Sequence, residues 1–144
     1  MSIRYISFED AKITHDKTID HSGGGDKGVI NLGQLESILV HIQNDDYYPS
    51  FVDKLTHLFF GVCAFHCYSD GNKRLAITLS AQFLLLNGYM AIAGQFFREM
   101  ENISYHVAAG RINKELLHEI MDAFMRGTYD EDEALKLSIL NAIQ

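Results

Sequence analysis

The sequence predicts an all-α single domain of about six or seven helices, built around one central helix-loop-helix. Three observations predict it. Apolar residues recur at the spacing of a helix face in segment after segment. Capping residues and glycines stand at the breaks between those segments. The chain has no internal repeat and no low-complexity tract, and its 144 residues, 47% of them hydrophobic, are enough for one core of ordinary size.

Ser7, with Asp10 three residues on, caps a first helix that carries Phe8, Ala11 and Ile13 and is expected to end near His15-Asp16. The glycine-rich stretch at 21–28 suits neither a helix nor a central strand. It reads as a surface loop able to move, a plain connector or a flap beside a functional site. Leu32, Leu35, Ile38, Leu39 and Ile42 give a second helix, stopping around Asn44-Asp45-Asp46. Pro49 precedes Ser50, the expected cap of a third helix that runs through Phe51, Val52, Leu55, Leu58, Phe59, Val62 and Phe65 to His66. Its apolar residues spread over more than one face, which places it at the centre. A fourth helix spans about Asn72 to Asn87, with Gly88 as its stop. Tyr89-Met90-Ala91-Ile92 reads as a short strand or an extended link. A fifth helix follows from about Phe97 to Ala109, closed by Gly110. Asn113 caps a sixth through Leu116, Leu117, Ile120, Met121 and Phe124, ended by Gly127. Residues 128–144 read as a C-terminal helical extension, with the acidic run 130–133 as its solvated start and Leu135, Leu137, Ile139, Leu140 and Ile143 as its apolar residues.

Composition narrows the function classes. With 12 basic against 19 acidic residues and a net charge of −7, the chain lacks the excess of cations that a general nucleic-acid binder needs. Any nucleotide must be held by a local site. Cys63 and Cys67 stand four apart with no second pair, so they support neither a disulfide framework nor a zinc pattern. Reduced thiols fit a cytoplasmic protein. The start of the chain shows no signal-peptide pattern. The longest apolar runs are broken by His57, Gly61 and His66, or by Thr78, Ser80 and Gln82, and fall short of a membrane span.

The chemistry concentrates in His66-Cys67-Tyr68-Ser69-Asp70-Gly71-Asn72-Lys73-Arg74, a polar loop between two of the most apolar segments of the chain. The start of a helix leaves backbone N–H groups pointing outward, an anion site. Gly71 lets a ligand approach that backbone, and Lys73 and Arg74 add charge where phosphate oxygens would lie. Asp70 would repel a bare anion, so a divalent cation such as magnesium completes the set. Asn72 can donate to a phosphate oxygen or support the metal shell. His66 ends the preceding helix and supplies an imidazole, the side chain that exchanges protons near neutral pH. Taken singly, each residue has a plain structural explanation. Their gathering within nine positions supplies base, metal ligand, anion cradle and charge clamp, the parts that phosphoryl transfer requires.

This stretch resembles the signature of the Fic/Doc (Fido) superfamily, His-x-Phe-x-Asp/Glu-Gly/Ala-Asn-x-Arg. Thr14-His15-Asp16 with the later glycines, Leu35-Glu36-Ser37-Ile38-Leu39, Tyr48-Pro49 and Phe83-Leu84-Leu85-Leu86-Asn87-Gly88-Tyr89 are similar to its death-on-curing (Doc) branch, so that the likeness spans roughly residues 3–126. The resemblance implies a helical domain with a flap, His66 as general base toward a Ser, Thr or Tyr hydroxyl of a target protein, Asp70 as magnesium ligand, and Gly71, Asn72, Lys73 and Arg74 around the phosphates of ATP. Tyr68 stands where the family has Phe and is expected to anchor the loop in the core. Members that transfer AMP carry Gly where this chain has Lys73, and usually a second Arg where it has Ile77. Doc-type toxins carry the lysine and transfer the γ-phosphate to elongation factor Tu. The likeness therefore implies a Doc-like toxin kinase, with AMP transfer as the alternative and a non-catalytic nucleotide- or protein-binding module as a third. The family's self-inhibiting pattern, Ser/Thr-x-x-x-Glu-Gly/Asn, is incomplete: Glu101-Asn102 fits its end, but Phe97 occupies its first position. Inhibition is then expected from a small antitoxin protein in trans.

Overall fold

A capping box opens the helix on which the rest is built. The Ser50 hydroxyl accepts from the Asp53 N–H at 3.0 Å, and the Asp53 carboxylate accepts from the Ser50 N–H at 3.1 Å. The computed structural model describes residues 2–21, 28, 31–68 and 71–144. The expected flap at 22–28, Gly28 apart, and Asp70 lie outside the described residues. The fold is all-helical, with no strand among the described residues. Its order is α1 (Phe8–His21), α2 (Leu32–His41), α3 (Phe51–Ala64), α4 (Asn72–Leu86), α5 (Met90–Ala108), α6 (Lys114–Arg126), a 3₁₀ turn (Tyr129–Glu131) and α7 (Glu133–Ile143).

Helix α3 is central and packs against α2, α4, α5 and α6. One core takes a buried side chain from every helix, among them Ala11, Leu35, Phe59, Leu79, Phe96, Phe124 and Leu135. Phe59, Phe96 and Phe124 meet edge to face at 6.0 and 5.9 Å, tying α3, α5 and α6 together. Residues 128–144 lie along α6, where Leu135 enters the core and the Tyr129 ring stacks on Phe124 at 4.3 Å. The acidic run splits there into the 3₁₀ turn and Asp132, whose carboxylate caps α7 by accepting from the Leu135 N–H. No helix among the described residues is long and apolar enough to cross a membrane.

Two elements differ from expectation. Helix α1 continues past His15-Asp16 to His21, because His15 and Ile19 are fully buried, one turn apart on the face toward α4. That burial outweighs the weak helix propensity of Asp16, Thr18 and Asp20. Residues 89–92 are neither strand nor link: Met90 opens α5, seven residues earlier than expected from Phe97. Ala93, Phe96, Met100, Ile103 and Val107 are buried at helical spacing, and that stripe pulls the whole segment into one 19-residue helix.

The face of α3 remote from the motif loop carries a buried imidazole. His57 is 6% exposed; its Nδ1 accepts from the Lys114 ammonium at 2.8 Å, while its Nε2 is buried without a partner. Burial, then the positive charges of Lys114 and His41, pushes the His57 pKa down from 6.5 to about 4. Between these values the unfolded chain takes up a proton that the folded chain refuses. Stability should therefore fall as pH drops from 6.5 toward 4, at up to about 1.4 kcal/mol per pH unit. Urea unfolding at pH 7.5, 6 and 5 measures this, and His57→Gln should flatten the slope; an equal slope in the variant would assign the acid sensitivity elsewhere.

Candidate active site

The segment between α3 and α4 is held from three sides. Within it, the Asn72 carboxamide accepts from the Tyr68 N–H at 3.1 Å and donates to the Tyr68 carbonyl at 2.7 Å, closing the turn. From the N-cap of α2, the Asn31 N–H donates to the Cys67 carbonyl at 3.0 Å. From α1, the His15 ring lies flat on the Tyr68 ring, centroids 3.4 Å apart and planes 6° from parallel. Tyr68 is 3% exposed, the core anchor that the sequence implies, and burial pushes its hydroxyl up to about 12. Burial also pushes Cys63 up to about 12 and Cys67 up to about 11, so neither free thiol is a thiolate nucleophile at neutral pH.

Gly71 is the N-cap of α4, in the left-handed region at φ 80°, and has no side chain with which to cap the helix. The first-turn N–H groups thus receive no capping oxygen from that residue, and the exposed Lys73 and Arg74 follow at once. Gly71 is required by the packing of the protein itself. A Cβ there would lie 2.6 Å from Ile19 Cδ1 and 3.4 Å from His15 Nε2.

His66 is exposed and has φ 51°, the one non-glycine residue at positive φ among the described residues. A histidine in that region stores backbone strain, a feature that collects at functional sites. α3 stops two residues short of it, at Ala64, where the expectation ran the helix up to His66.

Of the candidate residues, Gly71, Lys73 and Arg74 share a small pocket of about 250 Å³ with Ile77, Glu101, Ser104 and Tyr105. Arg74, Ile77 and Glu101 also line a larger cleft of about 1010 Å³ between the N-terminal segment, α1, α4 and α5, floored by Ile13, Leu85, Leu86 and Phe97. His66 does not line either pocket, and the Asn72 side chain braces the turn beneath them. Sequence reasoning did not single out His15, Ile19 or Glu101 as parts of this site. The partial Glu101-Asn102 match was the one local signal for α5.

A model of the Fic/DOC family matches residues 5–84, from the segment before α1 to the last turn of α4 and including the whole motif loop. The chain belongs to the Fic/DOC family. No curated protein matches it. The family generally catalyses transfer reactions that modify proteins, and in this Fic/DOC chain α5, which supplies Glu101 and Phe97 to the cleft, lies beyond the matched residues.

Proposed function

We propose that this chain is a Doc-like protein phosphotransferase, moving the γ-phosphate of ATP onto a hydroxyl side chain of a target protein. One observation carries the choice of phosphate. Lys73 and Arg74 stand together at the start of α4, while the next position that could carry a cation, Ile77, is 6% exposed and forms an apolar wall of both pockets. In the small pocket positive charge thus comes from Lys73 and Arg74, with Lys17 lining only the larger cleft, which favours holding one phosphate group at the start of α4 over clamping a longer polyphosphate there.

In the proposed reaction His66 takes the proton of the target hydroxyl, its oxygen forms a bond to the γ-phosphorus, the bond from that phosphorus to the β,γ-bridging oxygen breaks, and ADP leaves. Lys73, Arg74 and the first-turn N–H groups of α4 hold phosphate oxygens, and Asn72 keeps the turn in shape. Asp70 is the proposed magnesium ligand, with the Glu101 carboxylate lining the same small pocket as Lys73 and Arg74; among the described residues no group of three or more His, Cys, Asp or Glu is placed to hold a metal ion. When bound, the ion neutralises phosphate charge. The target is proposed to be a translation factor such as elongation factor Tu, and the location the cytoplasm, which suits two unbridged thiols. The apolar floor of the larger cleft, with Ile13 50% and Phe97 53% exposed, supports a small antitoxin protein as the partner that restrains the enzyme.

The test is label transfer. Protein incubated with cell lysate and ATP labelled at the γ position should label a lysate protein; label arriving only from the α position would replace this reading with AMP transfer, and no label from either would favour the binding module. The Lys73→Ala variant should lower γ-label transfer at least tenfold.

A further inference from the structure

His15 lies on α1, far along the chain from the motif loop, and is 0% exposed. Its Nδ1 stands 3.5 Å from the Asp16 carboxylate, and a buried imidazole needs such partners in a helix face where leucine or isoleucine would fill the space without them. Two contacts use its shape. Its ring covers Tyr68 face to face at 3.4 Å and 6°, a flat contact that a branched aliphatic side chain does not reproduce. Its Nε2 stands 3.4 Å from where a Gly71 Cβ would be, and Ile19, one turn on, closes the same wall. Tyr68 is in turn joined through both backbone groups to Asn72, the first residue of α4. Ring, anchor, staple and helix start form one contiguous set of contacts.

We infer that His15 is a positioning residue for the phosphate-binding turn: through its stack on Tyr68 and its wall against Gly71, α1 sets the geometry that Lys73, Arg74 and the first-turn N–H groups of α4 present to the nucleotide. The inference rests on the proposed nucleotide site for its consequence and on geometry alone for its mechanism, so the two are tested separately. His15→Phe keeps a flat ring and removes the nitrogens; His15→Leu removes the ring. Thermal unfolding of the full chain first checks that both variants fold.

Amide hydrogen exchange then reads the turn directly. His15→Leu should raise exchange at least tenfold in residues 66–74 with little change in α3 and α6, and His15→Phe should restore protection. Calorimetry with magnesium and ATP reads the consequence: a dissociation constant at least tenfold weaker for His15→Leu and within threefold of the parent for His15→Phe. Unchanged exchange at 66–74 in His15→Leu, an increase spread evenly over the whole chain, or a His15→Phe variant as impaired as His15→Leu would each overturn the inference. If the parent itself binds no ATP, the proposed function fails, while the exchange comparison still decides the role of His15.

Discussion

His66→Ala is expected to cut label transfer about 10²–10⁴-fold while the protein keeps its fold and unfolding temperature. The reason for the large effect is chemical: in the proposed reaction the incoming hydroxyl needs a proton acceptor beside the proposed phosphate-binding turn, and His66 is the imidazole in the strained loop that precedes it. The reason for the small structural effect is that the His66 side chain is exposed, whereas its neighbours Cys67 and Tyr68 are the ones that enter the core. Holding a non-glycine residue at φ 51° costs about 1–2 kcal/mol, so His66→Gly should be inactive yet unfold no earlier than the parent. Transfer rate and thermal unfolding, measured on the same samples, separate the two effects. A His66→Ala protein that transfers label at the parental rate would remove the general-base role.

Gly71→Ala is expected to be the most damaging small substitution in the motif. Two costs add: a left-handed φ of 80°, worth about 1–2 kcal/mol for any L side chain, and a Cβ 2.6 Å from Ile19 Cδ1. Gly110 provides the control, since it has the same φ of 80° but nothing within 4 Å of its Cβ position. In urea unfolding Gly110→Ala should lose only the backbone cost. Gly71→Ala should lose that and more, with magnesium-ATP affinity falling at least tenfold because α4 and its cations shift away from α1. Equal losses in the two variants would show that α1 yields to the methyl group and leaves the turn where it was.

The helices themselves were largely legible. Ser50, Asn113 and Gly127 act at the helix ends where the sequence places them, because caps and left-handed stops depend on a few adjacent residues. The two misread stretches have one cause. At 16–21 and 89–92 the local propensities are weak or strand-like, and burial of Ile19 in one case and of Ala93 and Phe96 in the other overrides them. In the site, the residue types of the loop from His66 to Arg74 are readable at a glance, but the task of Asn72 is not. A carboxamide beside an anion site looks like a ligand donor until both of its ends are found on the Tyr68 backbone.

By itself, the sequence determined an all-helical chain with an imidazole, a glycine-opened helix start and two cations gathered in one short stretch, since each of these is written in neighbouring residues. Only the tertiary structure decided what stands against that loop: His15 and Ile19 of α1 beneath Gly71, and Glu101 and Phe97 of α5 across from Arg74. Those contacts join residues far apart in the chain, and close packing of distant side chains leaves no periodic or local trace to read in advance.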